Sequence, residues 1–235
     1  MPELLDSVPG RVLAVYAHPD DPDVSCGGTL ARWAAEGSEV HVLICTNGDK
    51  GTTDPNVLTS DLARSRADEM AHSAKVLELA GHHTLGHPDG EIENDTALRE
   101  QLVRFVRELR PDAVLCPDPT AVLFGEEYLN HRDHRVTGFA VLDALSPAAA
   151  LPHYFPLAGP VHQAQVAYLS GTLEPTVWVD VSSSIGQKVA AVSCHKSQMP
   201  DLEFADRVVR LRAEAEGRRV NVPYAEAFRR LWLYA

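Results

Sequence analysis

Two short segments hold residue types that can do chemistry together. The first is His18-Pro19-Asp20-Asp21, set directly after the apolar run Arg11 to Ala17. Imidazole nitrogen and carboxylate oxygen are good ligands for a divalent ion of the zinc type. Two adjacent carboxylates repel each other if both are buried and unpaired. A metal held by one relieves this and leaves the other free to act as general base on a water. The competing reading is a strand-end turn, because Pro and Asp are common turn residues. The second segment is His131-Arg132-Asp133-His134. If it opens a helix, its histidines lie on neighbouring positions of one face. One then ligates metal, the other faces substrate, and Asp133 orients an imidazole by a hydrogen bond. The competing reading is a solvated, mixed-charge helix start with Asn130 as N-cap. Together the segments offer three protein ligands and leave a fourth position open, the pattern of catalytic zinc.

Alternating strand and helix patterns must position these segments. Arg11–Ala17, Glu39–Cys45, Asp112–Cys116, Gln165–Leu169 and Thr176–Asp180 read as strands. Helices are expected over Cys26–Gly37, Ser60–Leu79, from Leu98 to Leu109, Arg135–Leu145, Ser184–Cys194 and Asp206–Glu216. In the second of these, Ala63, Ala67, Met70, Ala74 and Leu77 recur at helical spacing. This rhythm implies an α/β fold, a Rossmann-like, mostly parallel sheet with helices on both faces. Such sheets bind ligands outside the carboxyl ends of their strands, at a topological switch point. The Pro/Ala-rich stretch Ser146 to Pro160 reads as a loop or a joint, and one domain over 1–235 is the simpler expectation.

Composition narrows the function. With 33 acidic against 21 basic residues, the net charge of -12 argues against a nucleic-acid partner, because phosphate binding depends on clustered Lys and Arg. No apolar run is long enough for a membrane span, and the first ten residues lack the pattern of a signal peptide. Cys26, Cys45, Cys116 and Cys194 are scattered and form no CxxC pair, which fits reduced thiols in the cytoplasm. Cys26-Gly27-Gly28 precedes a helix, and paired glycines let backbone approach a strand or ligand closely. There is no GxGxxG and no GKS/T, so neither a nucleotide cradle nor a nucleotide-dependent oxidoreductase is expected. No nucleotide-type cofactor site is expected either.

The sequence resembles the metal-dependent N-acetylglucosaminyl de-N-acetylases of the PIG-L/LmbE type along nearly the whole chain. The resemblance rests on Ala17-His18-Pro19-Asp20-Asp21, Cys26 to Leu30, Thr46-Asn47-Gly48-Asp49, Arg66 with Glu69, Pro88-Asp89-Gly90-Glu91, His131-Arg132-Asp133-His134 and His195-Lys196-Ser197-Gln198. It implies one zinc ion, or another divalent metal, held by His18, Asp21 and His134, with Asp20 as general base. His131 would stabilise the oxyanion or assist as acid, and Asp133 would hold His131 or His134 in orientation. Arg66 and Asp89 match positions that contact sugar hydroxyls in relatives. The reaction implied is removal of an N-acetyl group from an amino sugar or a similar small amide. An amidase acting on a thiol conjugate, and a non-catalytic binding protein of the same shape, are the alternatives. Relatives usually have Glu after the paired aspartates, where this chain has Pro22 and then Asp23. Some have Tyr two residues before the first histidine of the second motif; here Leu129 stands there and Tyr128 one step earlier.

Other residues admit blander roles. Arg66 and Glu69 fit an i, i+3 ion pair on a helix surface. Asp89 before Gly90 fits a turn, and Asp49 a structural place at a cavity rim. His195 fits the dipole of a helix C-terminus. His82, His83 and His87 read as solvated loop residues, His41 as a packed strand histidine, His72 as lying on the polar side of its helix, and Trp33, Trp178 and Trp232 as core. An edge strand offers a means of pairing subunits into a homo-oligomer, which the sequence does not specify.

Overall fold

The computed structural model describes residues 2–233. In chain order the elements are β1 (Glu3–Leu4), β2 (Arg11–Tyr16), α1 (Asp21–Ala35), β3 (Glu39–Thr46), α2 (Thr59–Val76), β4 (Gly81–His87), α3 (Thr96–Leu109), β5 (Ala113–Pro117), β6 (Leu123–Phe124), β7 (Tyr128–Leu129), α4 (Arg132–Asp143), β8 (Val166–Ser170), β9 (Val177–Asp180), α5 (Ile185–Val192), α6 (Leu202–Val220) and β10 (Ala225–Trp232). Eight strands form one sheet in the order β1-β9-β10-β8-β5-β2-β3-β4. β8, β5, β2, β3 and β4 run parallel. β10 enters antiparallel between β8 and β9.

Period-2 alternation along the central strands divides the core in two. Leu13 and Val15 of β2, with Leu43 and Cys45 of β3, pack on one face against Leu102, Val103 and Val106 of α3 and Val141 of α4. Val12, Ala14 and Tyr16, with Val40, Val42 and Ile44, pack on the other against Cys26, Leu30 and Trp33 of α1 and Met70 of α2. A one-residue slip of β2 would exchange the two sets. The chain leaves β2 toward β3 and β4, then returns to place β5 on the other side of β2. The carboxyl ends of β2 and β5 therefore form the switch point, where α/β sheets open a crevice.

The expected fold class is present, with differences in detail. Helix α1 begins at Asp21 rather than Cys26, with Pro22 in its first turn, where a missing N–H costs nothing. The backbone leaves helical geometry at Cys26, and Gly27 and Gly28 follow. A Cβ on Gly28 would lie 2.8 Å from Val181 Cβ. Buried Glu226 accepts from the N–H groups of Gly28 and Thr29 at 3.0 and 2.7 Å. Gly28 thus serves a close approach of α1 to Val181, just past β9, and to Glu226 of β10. Helix α4 opens at Arg132, three residues before the expected Arg135.

Residues His82, His83 and His87 lie in β4, not in a loop. His83 stacks on His41 with ring centroids 5.8 Å apart. Trp33 and Trp178 are buried, but Trp232 is 52% exposed and lies under the Arg230 guanidinium. A π-helical segment, Ala144–Ala149, follows α4, and the chain from there to 160 is irregular. Buried Arg107 organises it by donating to the carbonyls of Ala148, Ala149, Leu151, Tyr154, Phe155 and Gly159.

Candidate metal centre

The residues of both motifs meet at the switch point. His18 stands two residues beyond β2 and Asp21 opens α1, with the Asp21 N–H turned back to the His18 carbonyl. His134 lies in the first turn of α4, which follows β5 by way of the β6–β7 hairpin. His18 Nδ1 lies 3.2 Å from His134 Nε2. His134 Nε2 lies 3.1 Å from Asp21 Oδ1, and His18 Nδ1 lies 3.3 Å from Asp21 Oδ2. Ligands about 2.0–2.1 Å from a tetrahedral zinc are about 3.3 Å from one another. The two imidazole nitrogens, with Asp21 turning Oδ1 to His134 and Oδ2 to His18, therefore lie at the spacing of ligands about one such ion, and the residue types suit it.

Charge in the cluster points the same way. Burial opposes a charge on His18, yet Asp21, with help from Asp133 and Asp89, pushes its pKa up to about 12. Burial likewise opposes ionisation of Asp21, but His134 and His18 hold its pKa well below the usual carboxylate range. His134 is raised against its burial by Asp21. The carboxylates thus demand positive charge, and protons on the imidazoles supply it. A divalent cation binds such a cluster by displacing those protons.

His18 also faces a second set of donors. Its Nε2 lies 3.1 Å from Asp89 Oδ1 and 3.7 Å from Asp133 Oδ2. The ligating atoms of His18, Asp89, His131 and Asp133 fall within 4.8 Å of one another, as do those of His18, His131 and His134. Asp133 Oδ2 is already engaged by the Gly90 N–H at 2.6 Å. The Asp89 backbone N–H donates to Asp49 Oδ1 at 3.0 Å, which gives Asp49 its structural place. This second side is a pair of carboxylates behind one imidazole, the arrangement that fixes the tautomer of a metal-binding histidine.

Asp133 was expected to orient His131 or His134. Its carboxylate instead faces His18 and the Gly90 turn. The first turn of α4 directs it inward, where it is fully buried. Orientation of His134 comes from Asn130, whose Oδ1 lies 2.9 Å from His134 Nδ1. Asn130 is not the N-cap; His131 is, its Nδ1 accepting the Asp133 N–H at 3.3 Å. That bond leaves Nδ1 without a proton, so the neutral ring carries its hydrogen on Nε2. Burial and the nearby His18 lower the His131 pKa and favour the neutral form.

Asp20 is the N-cap residue of α1, but its side chain makes no capping hydrogen bond and faces the cavity. Burial, then the charge of Asp21, push its pKa up, and Arg66 pulls it back. Arg66 Nη2 donates to Asp20 Oδ1 at 2.5 Å and Nη1 to the Gly48 carbonyl at 3.1 Å. A Cβ on Gly48, which has φ +63°, would lie 2.6 Å from that guanidinium. The Asn47-Gly48 turn is shaped by Arg66. Arg66 and Asp89 both line the cavity, but their observed partners are Asp20 and His18.

His195 is fully buried, its Nε2 2.5 Å from Asp23 Oδ2, and Ser73 donates to the same oxygen. This joins α1 and α2 to the segment that brings Gln198 to the cavity. Asp23 takes part here, one position beyond the place where relatives have Glu. The cavity itself measures about 920 Å³, inside the range of about 300–1,000 Å³ of small-molecule sites.

The chain is similar to known deacetylases. The PIG-L family model, GlcNAc-PI de-N-acetylase, matches residues 13–145. The chain is 34% identical to diacetylchitobiose deacetylase of Thermococcus kodakarensis, over 93% of this chain and 82% of that one. It is 32% identical to 1D-myo-inositol 2-acetamido-2-deoxy-alpha-D-glucopyranoside deacetylase 2 of Saccharopolyspora erythraea, over 63% of this chain and 60% of that one. The solved N,N'-diacetylchitobiose deacetylase of Pyrococcus horikoshii, bound to its inhibitor MPG, superposes with a TM-score of 0.87. It covers 95% of this chain and 84% of its own, at 30% identity.

Proposed function

The chain belongs to the PIG-L family, and from that premise we propose that it is a zinc-dependent hydrolase that removes the N-acetyl group of an amino sugar. The observation that carries this reading is the cluster of His18, Asp21 and His134 donor atoms, with Asp20 held beside it by Arg66. His18, Asp21 and His134 would hold the ion, because their imidazole nitrogens and carboxylate oxygens lie 3.1 to 3.3 Å from one another. A bound divalent metal supplies Lewis acidity and lowers the pKa of a water by several units.

The chain's own groups then do the following. Asp20, held by Arg66, accepts a proton from the water that attacks the amide carbon. The Nε2–H of His131 donates to the carbonyl oxygen as negative charge grows there, a contribution of roughly 3–4 kcal/mol for a well-placed donor. Asp20 then returns its proton to the nitrogen as the C–N bond breaks, so that water and amide become acetate and free amine. Asp89 and Asp133 hold His18, and Asn130 holds His134. Arg66 and Asp89 reach sugar hydroxyls only with donors and acceptors beyond those engaged in these bonds.

The whole chain acts as one deacetylase domain on a small-molecule substrate, and the cytoplasm is its compartment. All four cysteines are free thiols, which suits a reducing compartment. Among the described residues no helix is long and apolar enough to cross a membrane.

The test is amine release from a panel of N-acetylated hexosamines, comparing Asp20→Asn with His134→Ala. The reading expects Asp20→Asn to keep its metal and lose at least 100-fold in kcat, and His134→Ala to lose the metal itself. Full metal content in His134→Ala would contradict the ligand set.

A further inference from the structure

Two imidazoles meet beneath α3, away from the candidate metal centre. His41 is the third residue of β3 and His83 the third of β4. Both stand near the amino ends of their strands, while the metal centre lies beyond the carboxyl ends. In the parallel register Gly81 stands beside His41, and His83 beside Leu43. Alternate residues of a strand share one face of the sheet, so both rings point toward α3. Their centroids are 5.8 Å apart and their planes 22° from parallel. Phe105 of α3 packs on His83 with centroids 5.3 Å apart.

His41 is 9% exposed. Its Nε2 lies 3.1 Å from Glu39 Oε1, and Arg11 donates to the other oxygen of Glu39 at 2.8 and 2.5 Å. An ionised carboxylate only accepts, so the neutral ring carries its proton on Nε2 and keeps a lone pair on Nδ1. Carboxylates fix metal-binding histidines in the same way. Among the described residues, nothing bonds to this Nδ1 or to the buried Nε2 of His83. Buried polar atoms are nearly always paired, and an orphan points to a water or an ion as its partner.

The two nitrogens face one space. A Cβ on Gly81 would lie 2.6 Å from His41 Nδ1 and 3.2 Å from His83 Nε2. Gly81 is not among the glycines with positive φ, so its backbone does not call for glycine. What it leaves open is the room between the nitrogens. Burial, then His41 and His82, push the His83 pKa down against a pull from Glu108 of α3, which keeps the ring neutral. His83 is part-exposed on the edge strand, and that edge gives an ion its way in. Imidazole nitrogens suit zinc, nickel and copper, whereas calcium and magnesium take oxygen.

We propose that His41 and His83 form a second metal site, which takes a zinc-type divalent ion and ties the edge strand β4 to β3. Two protein ligands hold an ion less tightly than three. The site therefore fills after the first centre, and protein washed of loosely held metal keeps one ion.

The test titrates zinc into the full chain that already carries one ion, by calorimetry. Wild type should take up one further ion, and its unfolding midpoint should rise. His83→Gln and Gly81→Ala should each abolish that uptake, while the first ion and amine release stay as in wild type. Glu39→Gln should weaken the uptake by about 10–100-fold. Hydrogen exchange at the imidazole C2 positions of His41 and His83, read by mass spectrometry on wild type, should slow as the further ion binds. This readout needs no variant to fold. No further uptake by wild type overturns the site and leaves a bridging water between the nitrogens. Uptake that persists in His83→Gln, or unchanged exchange at both imidazoles, places the further ion elsewhere and also overturns it. These readouts are of metal, so they stand apart from the deacetylase reading.

Discussion

Arg66 Nη2 reaches Asp20 Oδ1 at 2.5 Å from a helix 46 residues further along the chain. The guanidinium is 3% exposed and its remaining observed bond goes to the Gly48 carbonyl. Its place is behind the proposed base. Arg66→Ala and Arg66→Lys should therefore lower kcat, by about 10- to 100-fold and by less, respectively. A positioned general base contributes about 10²–10⁴, and a lysine offers one point charge where arginine offers a planar fork. KM should move less than threefold. Steady-state kinetics decide: a large rise in KM at constant kcat would restore the expectation that Arg66 grips the sugar.

Asn130 should govern metal affinity without touching metal. It accepts from His134 Nδ1 and so turns Nε2 toward Asp21. Loss of such a partner typically costs 10–100-fold in affinity. Asn130→Ala should show that loss in competition with a chromophoric chelator, and Asn130→Asp, which keeps the acceptor, should retain most of the affinity. Equal weakening by both would make the residue a hairpin anchor alone.

The buried His195–Asp23 pair predicts a pH dependence of stability. Burial opposes a charge on His195, but Asp23 raises its pKa above the ordinary value. A group raised in the folded state adds stability that is full below its unfolded pKa of about 6.5 and fades as pH rises through the folded value. The stability difference between wild type and His195→Asn should be larger at pH 5.5 than at pH 9 in urea unfolding. A difference that grows with pH would place the proton elsewhere.

Much of this was legible in the residues. His18 and Asp21 follow a strand that reads plainly as buried, and His134 opens a helix, so their meeting at one end of the sheet follows from α/β topology. The partners of those residues were not legible. Asp133 sits between two histidines in sequence, yet the first turn of α4 sends its carboxylate inward to His18. Asn130, four residues before His134, had the signal of an i, i+4 neighbour, but its type reads first as a helix cap. Five strands were missed: the two-residue β1, β6 and β7, too short to show a period, and β4 and β10, which lack apolar alternation. β4, Gly-His-His-Thr-Leu-Gly-His, is a polar edge strand. β10 carries Glu226 and adjacent Arg229 and Arg230, and it is held from both sides by antiparallel pairing. Such pairings are set by tertiary context.

The central claim is that the His18, Asp21 and His134 cluster works by holding a divalent ion. The direct measurement is metal content and amine release on one preparation, before and after a chelator. One ion per chain is expected, with loss of amine release as the ion is removed and recovery on adding zinc. Undiminished release by protein shown to be metal-free would contradict it.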